Sequence, residues 1–272
     1  PGESLQEFLV ENNLLGIEEV DTRSLTKHIR EHGSMRGIIS TLTTNTDELI
    51  EKAKKLPLIN EQRLVDDVTT ESTYFISKGW PTVVVLDLGV KSAIIKELCN
   101  RWCTVIVVPA FTSAEDILAL GPDALLVSNG PGNPDMIPEA VDTIKSLLGK
   151  LPIMGICLGH QVIGLALGMS TYKMKFGHRG GNQPVKELQT GKVFITSQNH
   201  GFCLSGKNLP NDVEISHINL NDGSIEGIRH KNLPVFSVQF HPEGSPGPKD
   251  SQYIFDEYIR MIETENGGGF NA

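Results

Sequence analysis

Leu151-Pro152-Ile153-Met154-Gly155-Ile156-Cys157-Leu158-Gly159-His160-Gln161-Val162-Ile163-Gly164-Leu165-Ala166-Leu167 is the stretch whose reading decides the fold. An apolar run leads into a Gly-x-Cys-x-Gly frame, and a second apolar run follows. The pattern predicts a short buried strand, a sharp turn and a helix. Small residues around Cys157 let the backbone bend tightly enough to hold a side chain at a helix N-terminus, the geometry of a nucleophile elbow. A thiol there has a reason to react. The unpaired N–H groups and positive end of the helix favour the thiolate, the nucleophilic form.

A nucleophile needs a base, and the best candidate lies far downstream in Pro234-Val235-Phe236-Ser237-Val238-Gln239-Phe240-His241-Pro242-Glu243. The apolar run predicts a core strand whose end delivers His241 into a loop, with Glu243 two residues later on the same side of an extended backbone. Cys157, His241 and Glu243 can form a triad. In it the imidazole would take the thiol proton and return it to a leaving amine, while the acid fixes the tautomer and stabilises the cation.

On either side of the elbow the pattern alternates. Strands are expected over 83–88, 104–108 and 124–127, and helices over 90–100, 113–120 and 137–149. Such alternation implies right-handed crossovers and a parallel sheet covered on both faces. Shorter strands follow over 193–196, 213–217, 226–229 and 235–240, then a closing helix over 249–262. The fold class is therefore α/β, an open, mostly parallel sheet with helices on both faces. The elbow sits at a strand's carboxyl end, where open sheets place their sites. A smaller α+β domain is expected over 1–66, with helical segments, an Asp21 or Thr22 cap and a strand at Gly37-Ile38-Ile39-Ser40. The polar, aperiodic stretch 67–80 reads as a linker, 81–265 as the main domain and 266–272 as a flexible tail.

Composition sets bounds. The 272 residues allow one large or two modest domains, and 39% hydrophobic residues suffice for a packed core. A net charge of −9 argues against non-specific nucleic-acid binding. No stretch approaches the roughly 20 apolar residues that span a bilayer, and the opening residues show no signal-peptide pattern. Cys99, Cys103 and Cys203 show no disulfide or zinc spacing and read as buried hydrophobes in a reducing, cytoplasmic setting. His178, His200 and His217 show no paired ligand spacing either. They read as structural or interface histidines, and no metal site is expected.

The chain resembles the class I glutamine amidotransferases, which release ammonia from the side-chain amide of glutamine. Within them it resembles the small chains of glutamine-dependent carbamoyl-phosphate synthetase. The elbow and Phe240-His241-Pro242-Glu243 are shared widely in that family. The narrower branch is carried by Ser128-Asn129-Gly130-Pro131-Gly132, Lys173-Met174-Lys175-Phe176-Gly177-His178, Gly180-Gly181-Asn182, Gln198-Asn199-His200-Gly201-Phe202 and Ser245-Pro246-Gly247-Pro248-Lys249-Asp250. The resemblance implies that residues 1–66 are the back of the family's N-terminal domain, whose front would precede Pro1.

It also implies the rest of the site. Attack on a carboxamide puts negative charge on oxygen, and one donor would be the N–H of Leu158, the residue after the nucleophile. A second should come from the glycine-rich loop at Gly130-Pro131-Gly132; by resemblance it is the N–H of Gly130. Glutamine contacts are implied for Gly130, Gly132, Leu158, Gln161, Asn199, Gly201 and Phe202. Gln161 would lie one helical turn beyond Cys157, on the same face. The implied reaction passes through a γ-glutamyl thioester on Cys157. Ammonia then goes to a large synthetase chain that makes carbamoyl phosphate for the pyrimidine and arginine pathways. No cofactor is implied for glutamine hydrolysis; ATP and magnesium would serve the partner. Two other readings are an amidotransferase component of another synthase and a catalytically silent regulatory chain. Retention of all three triad members speaks against silence.

Overall fold

The structure, a computed structural model, describes residues 4–267. The chain divides into two compact units, 1–58 and 59–272. This corrects the boundary expected at 66, because the stretch read as a linker is knit into the larger unit. Val65 is buried there, the Thr70 N–H donates to Asp87 Oδ2 at 2.8 Å, and Tyr74–Ile76 pairs as an edge strand. A polar, aperiodic sequence does not exclude pairing when a neighbouring strand offers free backbone groups. The tail expected over 266–272 lies, from 268 on, outside the described residues.

The smaller unit carries α1 (Leu5–Glu11), α2 (Thr22–His32) and α3 (Thr46–Lys55). Each starts at a side-chain cap: Ser4, Asp21 and Asn45 accept from the N–H three residues on. Residues 37–40 form no strand, contrary to expectation. A strand needs a neighbour for its backbone groups, and none pairs with this segment among the described residues. Ile38 and Ile39 stay exposed.

The larger unit holds β1 (Tyr74–Ile76), β2 (Thr82–Asp87), α4 (Ser92–Asn100), β3 (Thr104–Pro109), α5 (Ala114–Ala119), β4 (Ala124–Val127), α6 (Pro138–Leu147), β5 (Ile153–Ile156) and α7 (Leu158–Ala166). It continues through β6 (Ser170–Glu187), β7 (Val193–Ser205), β8 (Val213–Asn219), β9 (Ile225–His230), β10 (Val235–Val238) and α8 (Tyr253–Glu265). The strands form one sheet in the order β1-β3-β2-β4-β5-β10-β9-β8-β6-β7.

The expected parallel order holds through the centre, where β3, β2, β4, β5 and β10 run together. The flanks are antiparallel, β1 on one side and β9, β8, β6 and β7 on the other. Chain length between strands explains the switch: helical crossovers permit parallel neighbours, whereas the short turns after β6 permit only hairpins. The continuous apolar runs of the central strands bury both faces. Val84, Leu86, Leu125 and Ile153 pack with residues of α5, α6 and α7 on one side. Val83, Val85, Leu126 and Met154 pack with α4 and α8 on the other.

Candidate active site

The elbow forms as its sequence predicts. Cys157 follows β5 directly, takes φ 55° and ψ −103°, and caps α7. A left-handed backbone at a non-glycine residue costs about 1–3 kcal/mol and persists only where its surroundings hold it. Here the Cys157 N–H donates to Val238 O of β10 at 2.9 Å, and the Gly159 N–H donates to Ser128 O at 3.0 Å. Gly159 is also a contact requirement: a Cβ there would collide with the Val127 carbonyl oxygen, so only glycine lets α7 begin this close to β4.

His241 arrives from the neighbouring strand end. Its N–H donates to Ser197 O of β7 at 2.9 Å, which anchors it between the parallel and antiparallel halves of the sheet. Its Nδ1 donates to Glu243 Oε1 at 2.7 Å, and the Val238 carbonyl three residues before it holds the Cys157 N–H, which sets the imidazole and the thiol at adjacent strand ends. Cys157, His241 and Glu243 are 3%, 3% and 2% exposed, so the contacts are shielded from water. Burial works against a charged His241. The neighbouring Cys157 sulfur, and then the Glu243 carboxylate, outweigh it and raise the imidazole to about 9. Burial also pushes the Glu243 carboxyl up, but His241 and Lys91 hold it net below its ordinary value.

Lys91 is a site residue that motif reading missed. Its Nζ lies 3.1 Å from Glu243 Oε1 and 3.4 Å from His241 Nδ1. It follows β2 at the same sheet edge as the elbow, which is the signal that could have found it. The loop carrying it is sewn to the loop after β4: the Lys91 N–H donates to Asn129 Oδ1 at 3.1 Å, and Leu88 N–H to Ser128 Oγ at 2.9 Å.

Gly130 and Leu158 meet. A Cβ on Gly130 would lie 2.8 Å from Leu158 Cδ2 and would collide with the Leu88 carbonyl oxygen. Among the described residues the N–H groups of Gly130 and Leu158 donate to no protein acceptor. Gly132 lies further along the loop, beside Leu64 and the Gln62 carbonyl.

Gln161 is buried one turn into α7, and its N–H donates to Cys157 O. Its Nε2 donates to Phe202 O at 2.7 Å and to Gln239 Oε1 at 2.9 Å. Both amide hydrogens are therefore committed to protein, and Oε1 remains to accept from a ligand ammonium. Asn199, Gly201 and Phe202 all lie on β7. Asn199 is exposed, Gly201 half-buried and Phe202 buried. Opposite them β6 bulges: Lys173 pairs with Phe202 and His178 with His200, leaving 174–177 looped out.

Behind β7 lies a buried polar network that the sequence did not reveal. Gln198 Oε1 is 2.9 Å from both His178 Nδ1 and His200 Nε2. His178 Nε2 faces Asp222 Oδ2 at 3.0 Å, and His200 Nδ1 faces Phe202 O at 2.9 Å. Burial lowers His200 to about 3, so it is neutral; burial opposes charge on His178 too, but Glu226 and Asp222 outweigh it and raise that imidazole. Ligand-type atoms of His178, His200 and Glu226 lie within 4.8 Å of one another. Sequence spacing gave no sign of this meeting, which the β6–β7 pairing creates by setting 178 directly opposite 200.

The profile of the family described as "Glutamine amidotransferase class-I" matches residues 84–261, and that of "Carbamoyl-phosphate synthase small chain, CPSase domain" matches residues 2–39. The chain is 48% identical to the carbamoyl phosphate synthase small chain of Aquifex aeolicus (strain VF5), over 96% of its own length and 74% of that protein. The chain belongs to the carbamoyl-phosphate synthase small-chain family. A second small chain, from Staphylococcus epidermidis (strain ATCC 35984), is 50% identical over 96% of this chain and 71% of its own length. A solved structure from Thermoplasma acidophilum, described as a putative GMP synthase component, matches 68% of this chain and 95% of its own at a TM-score of 0.60 and 23% identity. That likeness extends the fold of this small-chain amidotransferase domain beyond its own branch. Among the described residues no helix is long and apolar enough to cross a membrane.

Proposed function

We propose that the chain is the glutamine-hydrolysing subunit of a carbamoyl-phosphate synthase, acting through a γ-glutamyl thioester on Cys157. Glutamine would lie with its side-chain carboxamide at the elbow, the carbonyl oxygen on the Gly130 and Leu158 N–H groups. Sulfur attacks the amide carbon, a C–S bond forms, and the electron pair of C=O moves onto oxygen. Collapse breaks the C–N bond, and His241 delivers its proton to the leaving nitrogen, which departs as ammonia. Water then adds to the thioester, giving its proton to His241 as glutamate leaves and the sulfur is freed. Glu243, shared between His241 and Lys91, keeps the imidazole oriented and its cation stabilised throughout. Gln161 Oε1 would accept from the α-ammonium, and Asn199, Gly201 and Phe202 would line the rest of the ligand.

The ammonia is handed to a large synthetase chain, which makes carbamoyl phosphate for pyrimidine and arginine synthesis. ATP and magnesium serve that chain; the chemistry derived for Cys157 uses only protein groups. The observation that carries this reading is the His241–Glu243 hydrogen bond at the end of β10, beside the strained Cys157 whose N–H is held by Val238 of the same strand. A glutamine-like electrophile such as a chloroketone analogue is expected to label native protein once, at Cys157, and to leave Cys157→Ser unlabelled. Labelling elsewhere, or undiminished labelling of the variant, would sink the proposal.

A further inference from the structure

We propose that Arg179 is a further substrate-binding residue, receiving the α-carboxylate of the amino acid whose side-chain amide reacts at Cys157. The inference rests on the glutamine-hydrolysing reading and goes beyond the contacts implied by family resemblance, none of which assigns this residue. Arg179 follows the bulge of β6 and stands directly opposite Asn199 in the β6–β7 register. Its Nη1 donates to the carbonyl oxygens of His178, at 3.0 Å, and His200. Those two bonds use both Nη1 hydrogens and fix the plane of the guanidinium against the strand that carries Asn199, Gly201 and Phe202.

The remaining donors are free. Among the described residues Nε and Nη2 make no hydrogen bond, and no carboxylate pairs with Arg179. Most other arginines of the larger unit are paired: Arg63 with Asp66 and Glu139, Arg101 with Glu97 and Asp256, and Arg229 with Glu257. Nη2 also faces the empty side of Gly201, where a Cβ would stand 3.6 Å from it. The residue as a whole is exposed, so a ligand can reach it.

An unpaired guanidinium with three open N–H groups is a fork shaped for a carboxylate. Its placement fits the substrate. The α-carboxyl carbon of glutamine lies four bonds from the reacting amide carbon, so a cation held near the nucleophile but not on it is where that carboxylate would arrive. Arg179 is bonded to the His200 carbonyl, two residues from the Phe202 carbonyl that accepts from Gln161, whose own N–H rests on Cys157 O. Partial burial lowers its guanidinium from the ordinary value, and the charge of Cys157 acts on it in the opposite sense, so the two groups share one electrostatic neighbourhood.

Steady-state glutaminase kinetics of native protein, Arg179→Lys and Arg179→Ala, measured with the synthetase partner bound, test the proposal alongside the rate of Cys157 alkylation by iodoacetamide. Iodoacetamide has no carboxylate and reports only the state of the sulfur. The alanine variant is expected to raise KM for glutamine roughly tenfold or more with kcat little changed, and the lysine variant to lie between. Alkylation should proceed at the native rate in both, which also shows that the site is folded. An unchanged KM in both variants would overturn the proposal. So would a fall in kcat together with slower alkylation, which would make Arg179 a partner of the thiolate and not of the substrate. Native protein that makes no glutamate would defeat the glutaminase reading itself, a separate outcome.

Discussion

The two halves of the sheet solve different problems. In the parallel half, β2, β4, β5 and β10 are buried on both faces, and beyond their carboxyl ends stand Lys91, Gly130, Cys157 and His241, the groups to which the proposal gives the chemistry and its support. In the antiparallel half, β6 and β7 are long, irregular and half-exposed, and they carry the groups proposed to surround a ligand: Arg179, Asn199, Gly201 and Phe202. Rigidity separates them. A parallel core packed on both sides can hold a strained cysteine in one geometry, whereas a bulged hairpin can shape a pocket without disturbing that core. The halves join along the β10–β9 ladder, and the His241 N–H on Ser197 O links the loop after β10 directly to β7.

That division is open to test. Substitutions in the parallel half should lower kcat, and those in the antiparallel half should raise KM. The largest effect is expected for Glu243→Gln, with kcat for glutamine hydrolysis falling roughly 100-fold or more because the imidazolium loses its acid. The pH profile carries the sign. His241 is raised to about 9, so the protonated form that serves the leaving nitrogen is present below that pH and lost as pH rises through it. In the variant the alkaline fall should begin nearer the ordinary histidine value of about 6.5. An unmoved alkaline limb would break the link between Glu243 and His241.

Stability obeys the same sign. A folded-state pKa above the unfolded one means the His241 interactions contribute fully below about pH 6.5 and fade as pH climbs toward 9. Next in size is Gly159→Ala, whose methyl would strike the Val127 carbonyl oxygen. About 2–3 kcal/mol of unfolding free energy should be lost in denaturant titration, with kcat falling as the elbow shifts. A variant as stable as the native chain would show that the core can move, removing the rigidity on which the contrast depends. Smallest is Asn199→Ala, expected to raise KM about fivefold with kcat retained, read from the same kinetics. A kcat effect of equal size would blur the distinction between the halves.

Legibility followed the same split. The elbow, β2, β4, β5 and β10 were readable because a strand buried on both faces must be continuously apolar, and Cys157, His241 and Glu243 stand at the ends of such runs. Of the long strands, β6 was not, and of β7 only the start at 193–196 was. Residues 170–187 contain Lys173, Lys175, Gly177, Arg179, Gly180 and Gly181, and neither a period of two nor an apolar run survives that composition. They are strands because they pair with each other over most of their length. The short β1, Tyr74-Phe75-Ile76, was hidden because three residues after a polar run show no period, and residues 37–40 were misread in the opposite sense: an apolar, β-branched stretch without a paired neighbour.

Within the site, groups linked by sequence motif were found and groups linked only by space were missed. Gly130, Leu158 and Gln161 sit in or beside recognisable motifs. Lys91 belongs to none, and it reaches Glu243 only because β2 ends at the same edge as β10, with β4 and β5 between. His178, His200 and Glu226 come from three different strands and meet through pairing alone.

The sequence by itself determined the reaction chemistry and the parallel core, because both are written in local patterns: small residues around one cysteine, a His-x-Glu at a strand end, and continuous apolar runs. Only the tertiary structure decided how the charges are shared. Lys91 on Glu243, the unpaired Arg179 beside Gly201 and the histidine network behind β7 are set by strand order and register. Those are properties of the assembled sheet, which no local stretch of chain can encode.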